Sequence, residues 1–114
     1  MSFSTLVREY SDVTVIDFVG RIALGNGVPE VRGAIREAID SGRRKIVLNL
    51  ALVDYIDSSG LGELVSAYTS ARNVGGDIKL ANLQKRTRDL MQITKLYTVF
   101  AIFPDERSAC ESFR

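Results

Sequence analysis

Histidine and tryptophan are absent from the 114 residues of this chain, cysteine occurs once and proline twice. Without histidine, the usual base that activates a serine or cysteine nucleophile is missing. The same absence, with no Cys/carboxylate cluster at ligand spacing, argues against a metal site. The lone Cys110 has no partner for an internal disulfide, which fits a reducing compartment. Neither sign of charge is in excess: 15 Lys and Arg face 14 Asp and Glu, a net charge of +1. The basic footprint of a nucleic-acid binder is therefore not expected. No apolar run approaches the ~20 residues of a membrane span. The opening Met1-Ser2-Phe3-Ser4-Thr5-Leu6 lacks the apolar segment of a signal peptide. A cytoplasmic protein without membrane insertion is expected, and its length and its 46% apolar fraction suit one globular domain over residues 1–114.

Periodicity divides the chain into alternating elements. Val13 to Val19 alternates β-branched residues with Thr14 and Asp17 and reads as a strand, with Leu6 to Tyr10 as its hairpin partner around Ser11-Asp12. After the Gly25-Asn26-Gly27 loop, Pro29 suits a helical first turn, and Val28, Val31, Ile35, Ala38 and Ile39 mark one apolar face up to Gly42. Lys45 to Leu50 is a short apolar strand, and a helix carrying Leu61, Leu64, Val65 and Tyr68 on one face follows it. Ile78 to Ala81 predicts a fourth strand. Arg86 to Thr94 predicts a third helix with Leu90 and Ile93 inward. Val99 to Phe103 predicts a fifth strand, and Asp105 a cap for a last helix with Ala109 and Phe113 facing in. The order β-β-α-β-α-β-α-β-α implies an α/β domain with a mixed, mostly parallel sheet of about five strands and about four helices. With so few helices, one sheet face is expected to be partly open.

Asp57-Ser58-Ser59-Gly60-Leu61-Gly62 holds most of the chemistry, because it sits where a strand gives way to a helix. Asp57 is placed to act as N-cap with both serines in the first turn, where free N–H groups and the positive end of the helix dipole converge. A plain cap has no use for Gly60 and Gly62, since glycine there costs roughly 1 kcal/mol per residue against alanine. Small residues at those positions let another protein approach closely. Tyr55, Leu61, Leu64 and Met91 are candidates for core or for an apolar docking face, with Leu64 favouring core. A hydrolase is disfavoured: Ile56 stands where a nucleophile elbow has its first glycine, and Lys79, Lys85 and Lys95 make no Ser-x-x-Lys spacing.

The hexapeptide, Gly75-Gly76 before Ile78-Lys79-Leu80-Ala81-Asn82-Leu83, and the tail Ile93-Thr94-Lys95-Leu96, Val99-Phe100-Ala101-Ile102-Phe103 and Asp105-Glu106 resemble the STAS domain family in order and over nearly the whole chain. Within it, Asp-Ser-Ser-Gly-Leu-Gly is similar to the anti-sigma factor antagonists. That resemblance implies a non-enzymatic, cofactor-free binding module whose serine after the aspartate, Ser58, is phosphorylated by the anti-sigma factor, itself a serine kinase supplied with ATP. The unmodified surface at Asp57, Ser58, Ser59, Gly60, Leu61 and Gly62 would bind that kinase and so free a sigma factor, and a phosphatase would restore the binding form. One departure is Gly20-Arg21-Ile22-Ala23, where relatives often read Gly-Glu-Leu/Ile-Asp. The other reading is a structural STAS subunit of a signalling or transporter complex that is never phosphorylated.

Overall fold

In the computed structural model, which describes residues 3–114, Ser4–Tyr10 (β1) and Val13–Ile22 (β2) form an antiparallel hairpin, with Tyr10 opposite Val13 and Ser4 opposite Val19. Lys45–Ile56 (β3), Asp77–Ala81 (β4) and Ile102–Phe103 (β5) extend the sheet in parallel, in the spatial order β1-β2-β3-β4-β5. Parallel neighbours need crossovers, and the helices Val28–Asp40 (α1), Ser58–Asn73 (α2) and Lys85–Ile93 (α3) provide them. Glu106–Glu111 (α4) closes the fold. This is the mixed five-stranded sheet with four helices expected from the pattern. Among the described residues, no helix is long and apolar enough to cross a membrane.

The helices divide unequally between the sheet faces. Val31 and Ile35 of α1, Leu64 and Ala67 of α2 and Met91 of α3 bury against Ile16, Phe18, Leu48, Leu50, Ile78 and Leu80 in one large core. On the opposite face Ala109 and Cys110 of α4 cover Val13, Val15, Val47 and Ala81. The first half of β3 is thus apolar on both sides, which is why Ile46-Val47-Leu48 is continuous and not alternating. Arg8 fastens α4 to the sheet: its guanidinium pairs with Asp17 at 2.6 Å and with Glu106, whose Oε1 also accepts from Asn49 at 3.2 Å. Beyond α4 the outer face is open, and Leu52 is 63% exposed there.

Three expectations need correction. Strand β3 does not stop at Leu50 but runs to Ile56, because two register shifts against β2 insert extra β3 residues and break the alternation that marks a strand. The fifth strand is only Ile102–Phe103. Leu96–Thr98 is a 3-10 turn that lets Phe100 swing inward and meet Tyr68 edge-on at 5.2 Å between ring centroids. Ile93 does not face inward: it is 79% exposed, and Thr87 and Met91 supply the buried side of α3.

Candidate functional site

Asp57 is the single residue between β3 and α2, and its extended backbone makes it the N-cap. Its Oδ1 accepts from the Gly60 amide at 2.8 Å and its Oδ2 from the Leu24 amide at 3.0 Å. The carboxylate therefore ties the β2–α1 loop to the start of α2. The Leu24, Gly60 and Ser59 amides, in that order, hold the Asp57 carboxyl below the usual carboxylate range by stabilising its anion.

With Asp57 occupied in this way, Ser58 begins the helix on the solvent side. Its hydroxyl makes no hydrogen bond within the chain among the described residues. Ser59 is half-buried, and Leu61 is buried at the edge of the core. Gly60 is buried too: a Cβ there would lie 2.0 Å from the Ile22 carbonyl oxygen. The close approach that glycine permits at this position is thus made by the chain's own β2, not by a partner. Gly62 is exposed, a Cβ there would meet nothing within 4 Å, and the residue remains on the surface beside Ser58.

An open groove of about 860 Å³ runs between Asp57, Ser58 and Leu61 on one side and α3 on the other. Gln84 anchors α3 there by donating from Nε2 to the Ala51 carbonyl at 2.8 Å. Tyr55, Leu90 and Ile93 give the groove apolar walls, with Lys85, Arg86 and Asp89 among its polar ones. Leu24, whose amide binds Asp57 and which does not line the groove, is 80% exposed. Near the accessible serine the fold thus leaves Leu24 and Ile93 in water, while Leu90 also packs against the core. Neither Leu24 nor Ile93 stands out as surface in the sequence, although an apolar residue ahead of Gly25-Asn26-Gly27 is a usable signal. Lys85 is the one candidate base of the sequence that reaches this groove, and its Nζ is bound to Asp89 at 2.8 Å, not presented to Ser58. Among the described residues, no group of three or more Cys, Asp or Glu side chains is placed to hold a metal ion.

Comparison with known proteins agrees with this fold. The chain is 26% identical over 85 residues to BtrV of Bordetella bronchiseptica, named as a candidate anti-sigma factor antagonist, covering 75% of this chain and 73% of that protein. It is 29% identical over 80 residues to the anti-sigma F factor antagonist of Paenibacillus polymyxa, covering 69% and 68%. The crystal structure of an anti-sigma factor antagonist from Mycobacterium paratuberculosis superimposes with a TM-score of 0.87 at 24% identity, over 97% of this chain and 93% of that one, a likeness of fold. The STAS domain family model matches residues 4–109. The chain therefore belongs to the STAS domain family.

Proposed function

We propose that the protein is an anti-sigma factor antagonist switched by phosphorylation at Ser58. The observation that carries this reading is the exposed, unbonded Ser58 hydroxyl at the first turn of α2, directly after an Asp57 whose two oxygens are already held. Unmodified, the surface formed by Leu24, Asp57, Ser58, Gly62 and the adjoining groove docks onto a kinase-type anti-sigma factor and sequesters it, and a sigma factor is released. The partner's ATP supplies the phosphate: the Ser58 oxygen takes the γ-phosphoryl group, ADP leaves, and a base on the kinase receives the hydroxyl proton. A phosphatase acting on phosphoserine resets the switch.

The energetics suit an off-switch. Phosphorylation adds about −1.5 to −2 charges at pH 7. Within the chain the helix N-terminus favours that charge by about 0.3–1 kcal/mol, so the fold is kept. In a close contact the same dianion, next to Asp57, meets desolvation and like-charge penalties of several kcal/mol. At about 1.4 kcal/mol per tenfold, even ~3 kcal/mol weakens binding by roughly two orders of magnitude. The test is phosphate incorporation with ATP and the host's anti-sigma kinase: wild type takes label at Ser58 and Ser58→Ala takes little. Label mainly on Ser41 or Ser108 overturns the assignment. Protein purified from its host with no phosphoserine at Ser58 under any growth condition favours the constitutive STAS subunit instead.

A further inference from the structure

Strand β1 ends the sheet and pairs only with β2, so its outer edge is open. Tyr10 and Val13 close the two-residue Ser11-Asp12 loop, which puts the bonded pairs of the ladder at Tyr10, Arg8, Leu6 and Ser4. The N–H and C=O groups of Thr5, Val7 and Glu9 therefore point away from β2, and no backbone partner meets them among the described residues. Most proteins guard such an edge with a bulge, a proline or a free charge. The β1–β2 register is unbroken, β1 holds no proline, and both of its charges are turned to the chain's own groups. Arg8 binds Asp17 and Glu106, and Glu9 accepts from Arg43 at 2.9 Å. Leu6 and Val7 are left 58% and 53% exposed.

Thr5 and Val7 stand opposite Phe18 and Ile16 of the large core, on the sheet face that α1 covers. An open groove of about 520 Å³ runs there between β1 and α1, with Thr5, Val7 and Ala34 in its walls. Its charged lining is Glu30, Glu37 and Arg43, one carboxylate in excess. Arg43 is already held by Glu9, whereas Glu30 and Glu37 pair with no Lys or Arg among the described residues.

We propose that β1 accepts an extended basic segment of a protein partner as a sixth strand of the sheet. The segment's main chain bonds the free groups of Thr5, Val7 and Glu9, and this pairing supplies affinity for any strand-forming sequence. Selectivity comes from the side chains. Alternate residues of an added strand share one face, so lysines or arginines at every second position come to lie over the groove. Glu30 and Glu37 are two helical turns apart, about 10 Å, which matches basic residues two to four positions apart on a strand. A second copy of this chain, paired by two-fold symmetry, would bring its own Glu30 and Glu37 to the same place, and like charge disfavours it. This edge shares no lining residue with the Ser58 groove and is a separate contact.

Three capped heptapeptides test this on the ¹⁵N-labelled protein by amide-shift titration and hydrogen exchange: one alternating valine with lysine, a twin with glutamate for every lysine, and a fully N-methylated lysine form. The lysine peptide should slow exchange of the Thr5, Val7 and Glu9 amides and bind at least about tenfold more tightly than its glutamate twin. The N-methylated form, which has no N–H to give, should bind far more weakly. The Glu30→Lys/Glu37→Lys variant should lose or reverse the preference for lysine, while Asp40→Lys, on the α2 side of the same helix, should keep it. All three carboxylates are exposed, so an unchanged amide spectrum elsewhere certifies the fold. Equal binding of the twins or of the N-methylated form, shifts confined to another surface, or no binding of the lysine peptide overturns the proposal. Protection of the same amides that grows with protein concentration alone assigns the edge to a second copy and likewise overturns it.

Discussion

The backbone amide of Leu24 donates to Oδ2 of Asp57 across 33 positions of sequence, at 3.0 Å. One carboxylate therefore fixes both the loop that presents Leu24 and the helix start that presents Ser58. The two halves of the candidate docking surface are joined through this one shared ligand.

Asp57→Asn should keep the helix cap through its amide oxygen but lose the bond to Leu24, since an NH₂ group cannot accept. Thermal unfolding should occur at a lower temperature than in wild type at neutral pH. The Asp57 carboxyl is held below its ordinary value, so its contribution is complete above the unfolded carboxylate pKa of about 3.9 and is lost as pH falls through the lower folded value. Melting curves of the two proteins should converge in acid, where protonated Asp57 resembles asparagine. A gap that widens in acid would contradict the arrangement.

Gly60→Ala and Gly62→Ala should part company, although both lie in the first turns of α2. The new methyl at 60 meets the Ile22 carbonyl, and overpacking of that kind costs about 1–3 kcal/mol or more. At 62 the space is open, and alanine in a helix should add roughly 0.5–1 kcal/mol. Denaturant titration of both variants decides it. Gly62→Ala that is more stable yet binds the anti-sigma factor poorly would place residue 62 in the interface.

Ser58→Asp should unfold near the wild-type midpoint, because a carboxylate in a helix first turn is mildly favourable. Leu64→Ala removes a fully buried side chain and should cost about 2–5 kcal/mol. Against the anti-sigma factor with ATP present, Ser58→Ala should bind at least as tightly as wild type and Ser58→Asp much more weakly. Equal affinities of the two Ser58 variants would put the serine outside the interface.

Leu24→Ser and Ile93→Ser alter side chains that the fold leaves in water, so stability should stay within about 0.5 kcal/mol of wild type. Each should nevertheless weaken partner binding by about tenfold, the usual loss when an apolar anchor worth more than 1 kcal/mol is truncated. Wild-type affinity in both variants would move the docking surface elsewhere.

The sequence alone determined the element order, the hairpin opening, the parallel crossovers and the placing of Ser58 at a strand-to-helix junction. Each of these follows from local patterning: apolar periodicity, a capping aspartate, and glycines and prolines at element ends. Tertiary structure decided what local patterning does not encode. Whether Ile93 faces core or solvent depended on α3 burying Thr87 and Met91 instead, a choice set by how the helix seats on β3. The need for Gly60 came from a β2 carbonyl far away in sequence. The second ligand of Asp57 and the exposure of Leu24 likewise arise only when distant segments meet. Periodicity reports which face of an element is apolar, whereas partners and accessibility are properties of the assembled surface.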